Sequence, residues 1–313
     1  MSLLFPEYSF ADVSIEKVHN SLLLDGCCLL RNAFKKEAIE LMANQITAIT
    51  HKKAEQVRTG ELTDDEKRFH IFDTDFQEYY PGQSFFQLIQ DSKMQAILES
   101  IFGKNKVHQH PHSLCRGIDS RPEEQRDLTS LRPLIFHIDT AYHAPYDKFA
   151  INFWIPLQEC GVHSPGMQVV PIGYATIRRL VNFNSEIGFS ELATNPSRWS
   201  MKNVWEQILK GSPDAIVWRP VFHPGDVLMM TSWIPHASYT TEKMTLSRRS
   251  IEIRYHGETL DPLPLKANSL EELGLPYYSR THLHGAKQKR SRIVRINSLN
   301  KKPNILKKML RWE

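Results

Sequence analysis

Two residues of one predicted strand could bind a metal ion together. His137 and Asp139 stand two apart in the run PLIFHIDTAY, and residues two apart on a strand face the same side. An imidazole nitrogen and a carboxylate oxygen placed in this way can both coordinate one divalent transition metal. The spacing alone is weak evidence, because a second His-x-acid triplet occurs at His256-Gly257-Glu258. It indicates a metal site only where further ligands follow.

A third ligand and a cation do follow. FHPGDVLMMTSWIPHASYTT contains a Pro-Gly-Asp turn, an apolar strand and then His236 at the far end of that strand, and Arg248 opens the later strand RRSIEIRYH. Two histidines and one carboxylate leave three adjacent positions open on Fe(II). Two of these positions could take the keto and carboxylate oxygens of 2-oxoglutarate, and the third position could take O2. A guanidinium offers a bidentate match to the other carboxylate of that co-substrate.

The order of these motifs resembles the phytanoyl-CoA dioxygenase-like family of Fe(II)/2-oxoglutarate oxygenases. The resemblance covers roughly residues 14–256, beginning with LLLDGCCLLRNAFKKEAIELM and then His137-x-Asp139. It continues through INFWIPLQECGVHSPGMQVVP and ends with PGDVLMM, His236 and SRRSIEIRY. It implies that His137, Asp139 and His236 bind Fe(II), and that Arg248 binds 2-oxoglutarate.

The resemblance also implies a reaction. O2 and 2-oxoglutarate are consumed, succinate and CO2 are released, and a substrate C–H bond is hydroxylated in a cavity that the protein supplies. Asp139 favours hydroxylation, because halogenating relatives generally have a small residue in place of this ligand. The turn Pro171-Ile172-Gly173-Tyr174 departs from the Pro-Gly-Ser-His type of many members, so we expect different substrate contacts there.

The choice of arginine depends on the register of the last strand. Arg248 fits the family spacing, and Arg249 is expected to face the opposite side, although a one-residue bulge would reverse the choice. Asn152, on a strand next to the site, is a further candidate contact of 2-oxoglutarate. The candidate substrate contacts flank the predicted ligands, with core packing as the alternative for the two tryptophans: Tyr142, His143, Trp154 and Trp233.

Other readings of the chemistry stay open. His108, His110 and His112 alternate along a predicted strand and could form a separate metal site of cupin type, or line a polar strand edge. The whole chain could also be a cupin-like metal-binding protein without oxygenase activity. Four retained residues, the three ligands and Arg248, favour the enzyme.

Helices come first along the chain and strands later. The sequence predicts a short helix from residue 14, a buried strand over Cys27 to Leu30, a long amphipathic helix in KKEAIELMANQITAITHKKAEQ, a surface loop over 53–68 and a helix over Phe85 to Ile101. From about residue 105, short apolar segments separated by Pro and Gly predict a mainly β architecture.

These elements predict one domain. The expected fold is mainly β with flanking helices, built on a double-stranded β-helix core of jelly-roll, cupin-like type. We expect the domain over residues 1–286, with N-terminal helices at about 14–103, the jelly-roll core at about 105–258 and a basic tail at 287–313. The opening residues lack a signal-peptide pattern and no apolar run reaches the roughly 18 residues of a spanning helix, so we expect a soluble, cytoplasmic protein.

The tail concentrates positive charge. Residues 287–313 hold ten of the 39 Lys and Arg and one of the 35 acids, so they carry +9 while the rest carries −5. In PNILKKMLRW the apolar and basic residues fall on opposite helical faces, a pattern that is typical of helices in peripheral contact with the inner face of an anionic membrane. The same tail could equally dock on the acidic body of the protein or extend into solvent. A small-molecule substrate, anionic or membrane-borne, would suit this charge. Nucleic acid is disfavoured, because no aromatic residues alternate with the basic ones to stack bases.

Overall fold

The computed structural model describes residues 5–61, 74–75, 91–109, 114–126, 130, 133–134, 136–137, 139, 150–173 and 216–257. The helices are α1 (Ile15–Leu24), α2 (Lys36–Arg58) and α3 (Ser92–Phe102), with a 3-10 turn at Glu123–Gln125. The strands are β1 (Glu7–Ser9), β2 (Cys27–Arg31), β3 (Thr74–Asp75), β4 (His108–Gln109), β5 (Leu114–Ile118), β6 (Ala150–Pro156), β7 (Gly166–Val169), β8 (Val227–Thr231), β9 (His236–Tyr239) and β10 (Arg248–His256).

Helices α1 and α3 begin at polar side-chain caps, whereas α2 begins without a side-chain cap. Ser14 accepts a hydrogen bond from the backbone N–H of Lys17 at the start of α1, and Asp91 caps α3 in the same way. Helix α2 buries its apolar stripe at Ile39, Met42 and Ile46. It continues to Arg58, so the predicted loop over 53–68 was wrong at its start, because the apolar stripe extends to the buried Ala54. Residues 62–68 lie outside the described part.

Two sheets form the core of the fold. The large sheet has the central antiparallel order β2, β8, β6, β10, β5; β1 adds to β2 in parallel, β3 to β5, and β4 to β10. The small sheet pairs β7 with β9, and isolated bridges extend it from His137 to His236 and from Val169 to Trp218. Strands distant in sequence lie side by side in both sheets. This arrangement confirms the predicted double-stranded β-helix.

The large sheet separates an apolar layer from the space between the sheets. Residues on one face of β6 and β10, such as Phe153 and Ile253, join the core that packs against the helices. The other face points toward the small sheet, where Trp154 packs with Phe222 and Met167. This inner face also holds buried polar residues: Asn152, Arg248, Ser250, Glu252 and Arg254.

The cysteines follow the same division. Cys27 belongs to the inner cluster and Cys28 to the helix-side core, as expected for neighbours on a strand. All four cysteines are free and buried, and burial raises the pKa of the Cys160 thiol to about 12.

In the described part of the chain, no helix combines the length and the apolar character needed to cross a membrane. Cytoplasmic localisation stays a prediction.

Candidate metal centre

Three potential metal ligands meet at one end of the space between the sheets. The side chains of His137, Asp139 and His236 are buried, and one donor atom from each lies within 4.8 Å of the other two. The Nε2 atoms of His137 and His236 lie 3.8 and 3.6 Å from Oδ1 of Asp139. The fold therefore brings together the three residues that the sequence motifs selected.

The two histidines are placed by a backbone pair. The N–H of His137 donates to the carbonyl of His236 at 2.9 Å, and the N–H of His236 donates back at 3.0 Å. The Nδ1 atom of His236 donates to the carbonyl of Ile234 at 3.0 Å, in the tautomer that leaves Nε2 free of its proton. This hydrogen bond from Nδ1 is the usual way in which proteins fix a metal-binding imidazole.

The sequence suggested that His236 lies at the far end of the preceding strand, and this was wrong. Strand β8 ends at Thr231, and the N–H of Ile234 donates to the Thr231 carbonyl at 3.1 Å in a tight turn. The chain thereby passes from the large sheet into the small one, and His236 opens β9. The turn puts His236 opposite His137 rather than beyond β8.

The donor set fits Fe(II). Two imidazole nitrogens and one carboxylate oxygen in a buried cluster match the 2-His-1-carboxylate pattern of non-haem iron oxygenases. Asn152 lies beside it: its Nδ2 donates to Oδ2 of Asp139 at 3.1 Å, and its Oδ1 has no hydrogen-bond partner among the described residues. Its predicted contact with 2-oxoglutarate stays a prediction.

Arg248 is a buried cation on the inner face of β10. Its side chain is 1% exposed, Nη1 donates to the carbonyl of Gly166 at 2.8 Å, and the guanidinium carbon lies 5.1 Å from the ring centroid of Trp154. Burial lowers the pKa of Arg248 to about 10, so the side chain remains charged at neutral pH. Within the described residues, its Nε has no hydrogen-bond partner and no ion pair includes it.

Two polar atoms near Arg248 also have no hydrogen-bond partner among the described residues. The indole Nε1 of Trp154 and the hydroxyl of Ser250 are buried without a hydrogen-bond partner in the described part of the chain. Buried polar groups are nearly always satisfied by protein, water or ligand. A cation and two donors on one inner surface are therefore suited to an anionic ligand with several oxygens.

The other residues predicted to contact co-substrate or substrate lie on the helix side of the sheet, in the core, or outside the described residues. Arg249 faces α2, where Nη1 donates to Oγ1 of Thr47 at 2.8 Å. Strand β10 pairs without a bulge with β5 and β6, so Arg248 and Arg249 point to opposite faces. Trp233 is buried in the helix-side core, which agrees with the packing alternative. Tyr142 and His143 lie outside the described residues.

The alternating histidines give no second cluster in the described part. The ring of His108 in β4 stacks on His256 of β10, with centroids 5.6 Å apart. His110 and His112 lie outside the described residues. Among the residues that the structure describes, the cluster of His137, Asp139 and His236 is the one group of three or more His, Cys, Asp or Glu ligands that could hold a metal ion.

Sequence reasoning missed how two residues, Arg254 and Glu252, contribute to the site. Arg254 donates from Nε and Nη2 to Oδ2 of Asp139, both at 3.2 Å, and from Nη2 to Glu252 at 3.1 Å. The alternation of β10 places Arg254 and Glu252 on the same face as Arg248, and that signal was available in the sequence. Their distance from Asp139 was not, because it depends on strand pairing.

Comparison with protein families gives a match that covers most of the chain. The family model "Phytanoyl-CoA dioxygenase (PhyH)" matches residues 22–250 of 313. No curated protein matches the chain significantly.

Similar solved structures have low sequence identity. AviO1 from Streptomyces viridochromogenes Tue57 is 14% identical, with a TM-score of 0.48 over 80% of this chain and 98% of that chain. EctD from S. alaskensis, solved with 2-oxoglutarate and 5-hydroxyectoine, is 13% identical, with a TM-score of 0.49 over 82% and 78%. The non-heme alpha ketoglutarate dependent epimerase SnoN from nogalamycin biosynthesis is 14% identical, with a TM-score of 0.44 over 78% and 84%.

Proposed function

We propose that this chain, which belongs to the phytanoyl-CoA dioxygenase family, hydroxylates an aliphatic C–H bond of a small-molecule, lipid-like or saccharide substrate. It is an Fe(II)/2-oxoglutarate-dependent dioxygenase, with O2 as the second co-substrate. The observation that supports the proposal is the buried group of His137, Asp139 and His236, whose donor atoms lie within 4.8 Å of one another. Family membership favours this enzyme over a cupin-like binding protein without oxygenase activity.

The chain's own residues have three tasks in this reaction. His137, Asp139 and His236 would hold Fe(II), which when bound supplies the activation of O2 that couples 2-oxoglutarate decarboxylation to substrate oxidation. Arg248 would bind the distal carboxylate of 2-oxoglutarate, and the Nε1 of Trp154 and the hydroxyl of Ser250 are donors on the same inner face.

The third task is to exclude water. The space between the sheets is lined by side chains with little or no exposure, including Leu29, Leu228 and Met230. A low-polarity lining strengthens the pairing of Arg248 with a carboxylate, because fewer water molecules compete for either charge. It also protects the reacting substrate from side reactions with solvent.

The proposed hydroxylation is tested by following the oxygen atom. The purified protein is incubated with Fe(II), 2-oxoglutarate and 18O2, together with a panel of acyl thioesters, fatty acids, amino acids and sugars. An accepted substrate is expected to raise succinate release and to gain one 18O atom, and the Asp139→Ala variant should do neither. Succinate release with an unlabelled product would contradict hydroxylation, and no succinate with any member of the panel, or without it, would contradict oxygenase activity.

Peripheral membrane contact through the basic tail, which would suit a membrane-borne or anionic substrate, is a separate proposal. It rests on the charge of +9 in residues 287–313, which lie outside the described residues. Vesicles of anionic lipid should carry the full-length protein to the top of a flotation gradient, and neutral vesicles should not, because binding depends on the basic face. A variant with the tail's lysines and arginines changed to glutamine should stay at the bottom. Equal flotation of the two proteins would refute the proposal.

A further inference from the structure

The two carboxylate oxygens of Asp139 have different neighbours. Oδ1 lies 3.8 Å from Nε2 of His137 and 3.6 Å from Nε2 of His236. Oδ2 accepts hydrogen bonds from Nδ2 of Asn152 at 3.1 Å and from Nε and Nη2 of Arg254, both at 3.2 Å. One oxygen therefore faces the two histidine nitrogens, and the other is held by three N–H groups.

Strand pairing explains why these donors converge. Arg254 of β10 and Asn152 of β6 are direct antiparallel partners, so their side chains emerge next to each other on the same face of the sheet. That face is the inner one, and both side chains are buried. The positions of the donors are thus set by the pairing of two central strands of the large sheet.

Arg254 is itself held by a buried acid. Its Nη2 donates to Glu252 at 3.1 Å, and Nε of Arg116 on β5 lies 3.7 Å from the other oxygen of Glu252. The side chains of Arg254 and Glu252 are 5% and 8% exposed. Burial by itself raises the pKa of Glu252, but Arg116 and Arg254 together outweigh burial and bring this pKa below its usual value, so the acid is ionised.

The charge of Arg254 affects how well a metal cation can bind beside it. A guanidinium next to a metal site would repel the metal unless a negative charge compensates it. Glu252 supplies that charge through its contacts with Arg254 and Arg116. Arg254 can then hold Oδ2 of Asp139 without an uncompensated positive charge beside the metal.

We infer that Arg254 is a positioning residue for the metal-binding carboxylate, and that Glu252 is its buried counter-ion. Together with Asn152, Arg254 fixes Asp139 so that Oδ1 alone is presented to the metal, which leaves coordination positions for 2-oxoglutarate and O2. The inference rests on the proposed function, because it assumes that His137, Asp139 and His236 hold a metal ion. A purely structural ion pair would affect folding stability but would leave metal affinity unchanged.

The experiment measures Co(II) binding to the purified, metal-free protein by visible absorption titration, alongside thermal unfolding without metal. Arg254→Gln is expected to weaken Co(II) binding by about 10- to 100-fold, the usual effect of losing a partner of a metal ligand. Glu252→Gln should weaken it in the same direction. Arg254→Lys, which keeps the charge but not the paired N–H groups, should recover part of the affinity. The matched control is Arg249→Gln on the opposite face of β10, expected to bind Co(II) like the wild type.

The outcomes separate this inference from the proposed function. If the wild type binds Co(II), His236→Ala abolishes binding, and Arg254→Gln binds as tightly as the wild type or more tightly, the inference is wrong and the proposed metal site stands. If the wild type binds no Co(II), or His236→Ala binds equally well, both are wrong. Should Arg254→Gln fail to fold, the double variant Arg254→Gln/Glu252→Gln removes both charges of the buried pair together. Wild-type affinity in that variant would also overturn the inference.

Discussion

Replacing Asp139 by alanine is expected to lower the affinity for Co(II) and Fe(II) by about a hundred-fold or more, and to abolish succinate formation. Loss of an outer partner of a ligand already costs about 10- to 100-fold in affinity, and Asp139 is the only carboxylate of the proposed set. Its removal takes away the single negative charge that faces both histidine nitrogens. Equilibrium titration with Co(II) measures the affinity, and chromatographic detection of succinate measures turnover.

A second buried aspartate provides the control. Asp226 is 2% exposed and pairs with Arg31 at 2.6 Å in the turn before β8, without contact to the metal ligands. Asp226→Asn should lower the unfolding temperature, because it weakens a buried ion pair. The folded variant should bind Co(II) like the wild type. Equal Co(II) affinity in Asp139→Ala and the wild type would exclude Asp139 as a ligand.

Replacing Arg248 by glutamine is expected to raise the KM for 2-oxoglutarate by about 100-fold with little change in metal affinity. Truncating one member of a buried charge pair costs about 2–5 kcal/mol, and each 1.4 kcal/mol is a factor of ten. Burial lowers the pKa of Arg248 to about 10, which reflects the cost of holding this cation away from water. A bound carboxylate offsets that cost, so the ligand-free variant should be no less stable than the wild type.

The measurements are a 2-oxoglutarate titration of succinate formation and the Co(II) titration described above. Arg249→Gln is the matched control, because this neighbour donates to Thr47 on the helix side of the sheet. It should keep the wild-type KM within about two-fold, since exposed and half-buried substitutions rarely disturb a remote site. A large rise in KM in Arg249→Gln and none in Arg248→Gln would assign the co-substrate to the other face of β10.

The sequence predicted the architecture well where hydrophobic periodicity was strong. Helix α1, strand β2 and helix α2 follow from alternation and helical spacing, and the short apolar segments after residue 105 supply most strands of the two sheets. The shortest strands were not predicted. Strand β1 has three residues and β9 four, too few for a periodic signal, and both are defined by their neighbours: β1 by β2, β9 by β7 and His137.

Part of the site was predictable, because residue spacing and strand alternation can be read from the sequence. The two-residue spacing of His137 and Asp139 was visible in the sequence, and so was the alternation that separates Arg248 from Arg249. The predicted strand through His137 and Asp139 was wrong: no described strand includes them, His137 forms an isolated bridge with His236, and Asp139 has 3-10 geometry. The turn after β8, which carries His236 into the small sheet, depends on a backbone hydrogen bond from Ile234 to Thr231 that no residue pattern announces. Trp233 seemed near the site in sequence, yet this turn directs it into the helix-side core.

The contacts of Asp139 could not be predicted, because they depend on register. Arg254 and Asn152 meet only because β10 and β6 pair in one particular alignment. A shift of β10 by one residue would turn Arg254 to the helix side, away from Asn152. Glu252 has the same dependence, since its contact with Arg116 follows from the pairing of β10 with β5.

The central claim is that the buried group of His137, Asp139 and His236 holds Fe(II) together with 2-oxoglutarate. Its most direct test is the absorption spectrum of the purified protein after anaerobic addition of Fe(II) and then 2-oxoglutarate. We expect a visible charge-transfer band that requires both additions, is missing in Asp139→Ala, and decays when O2 is admitted as succinate forms. A spectrum without this band, or an equal band in Asp139→Ala, would contradict the proposed centre.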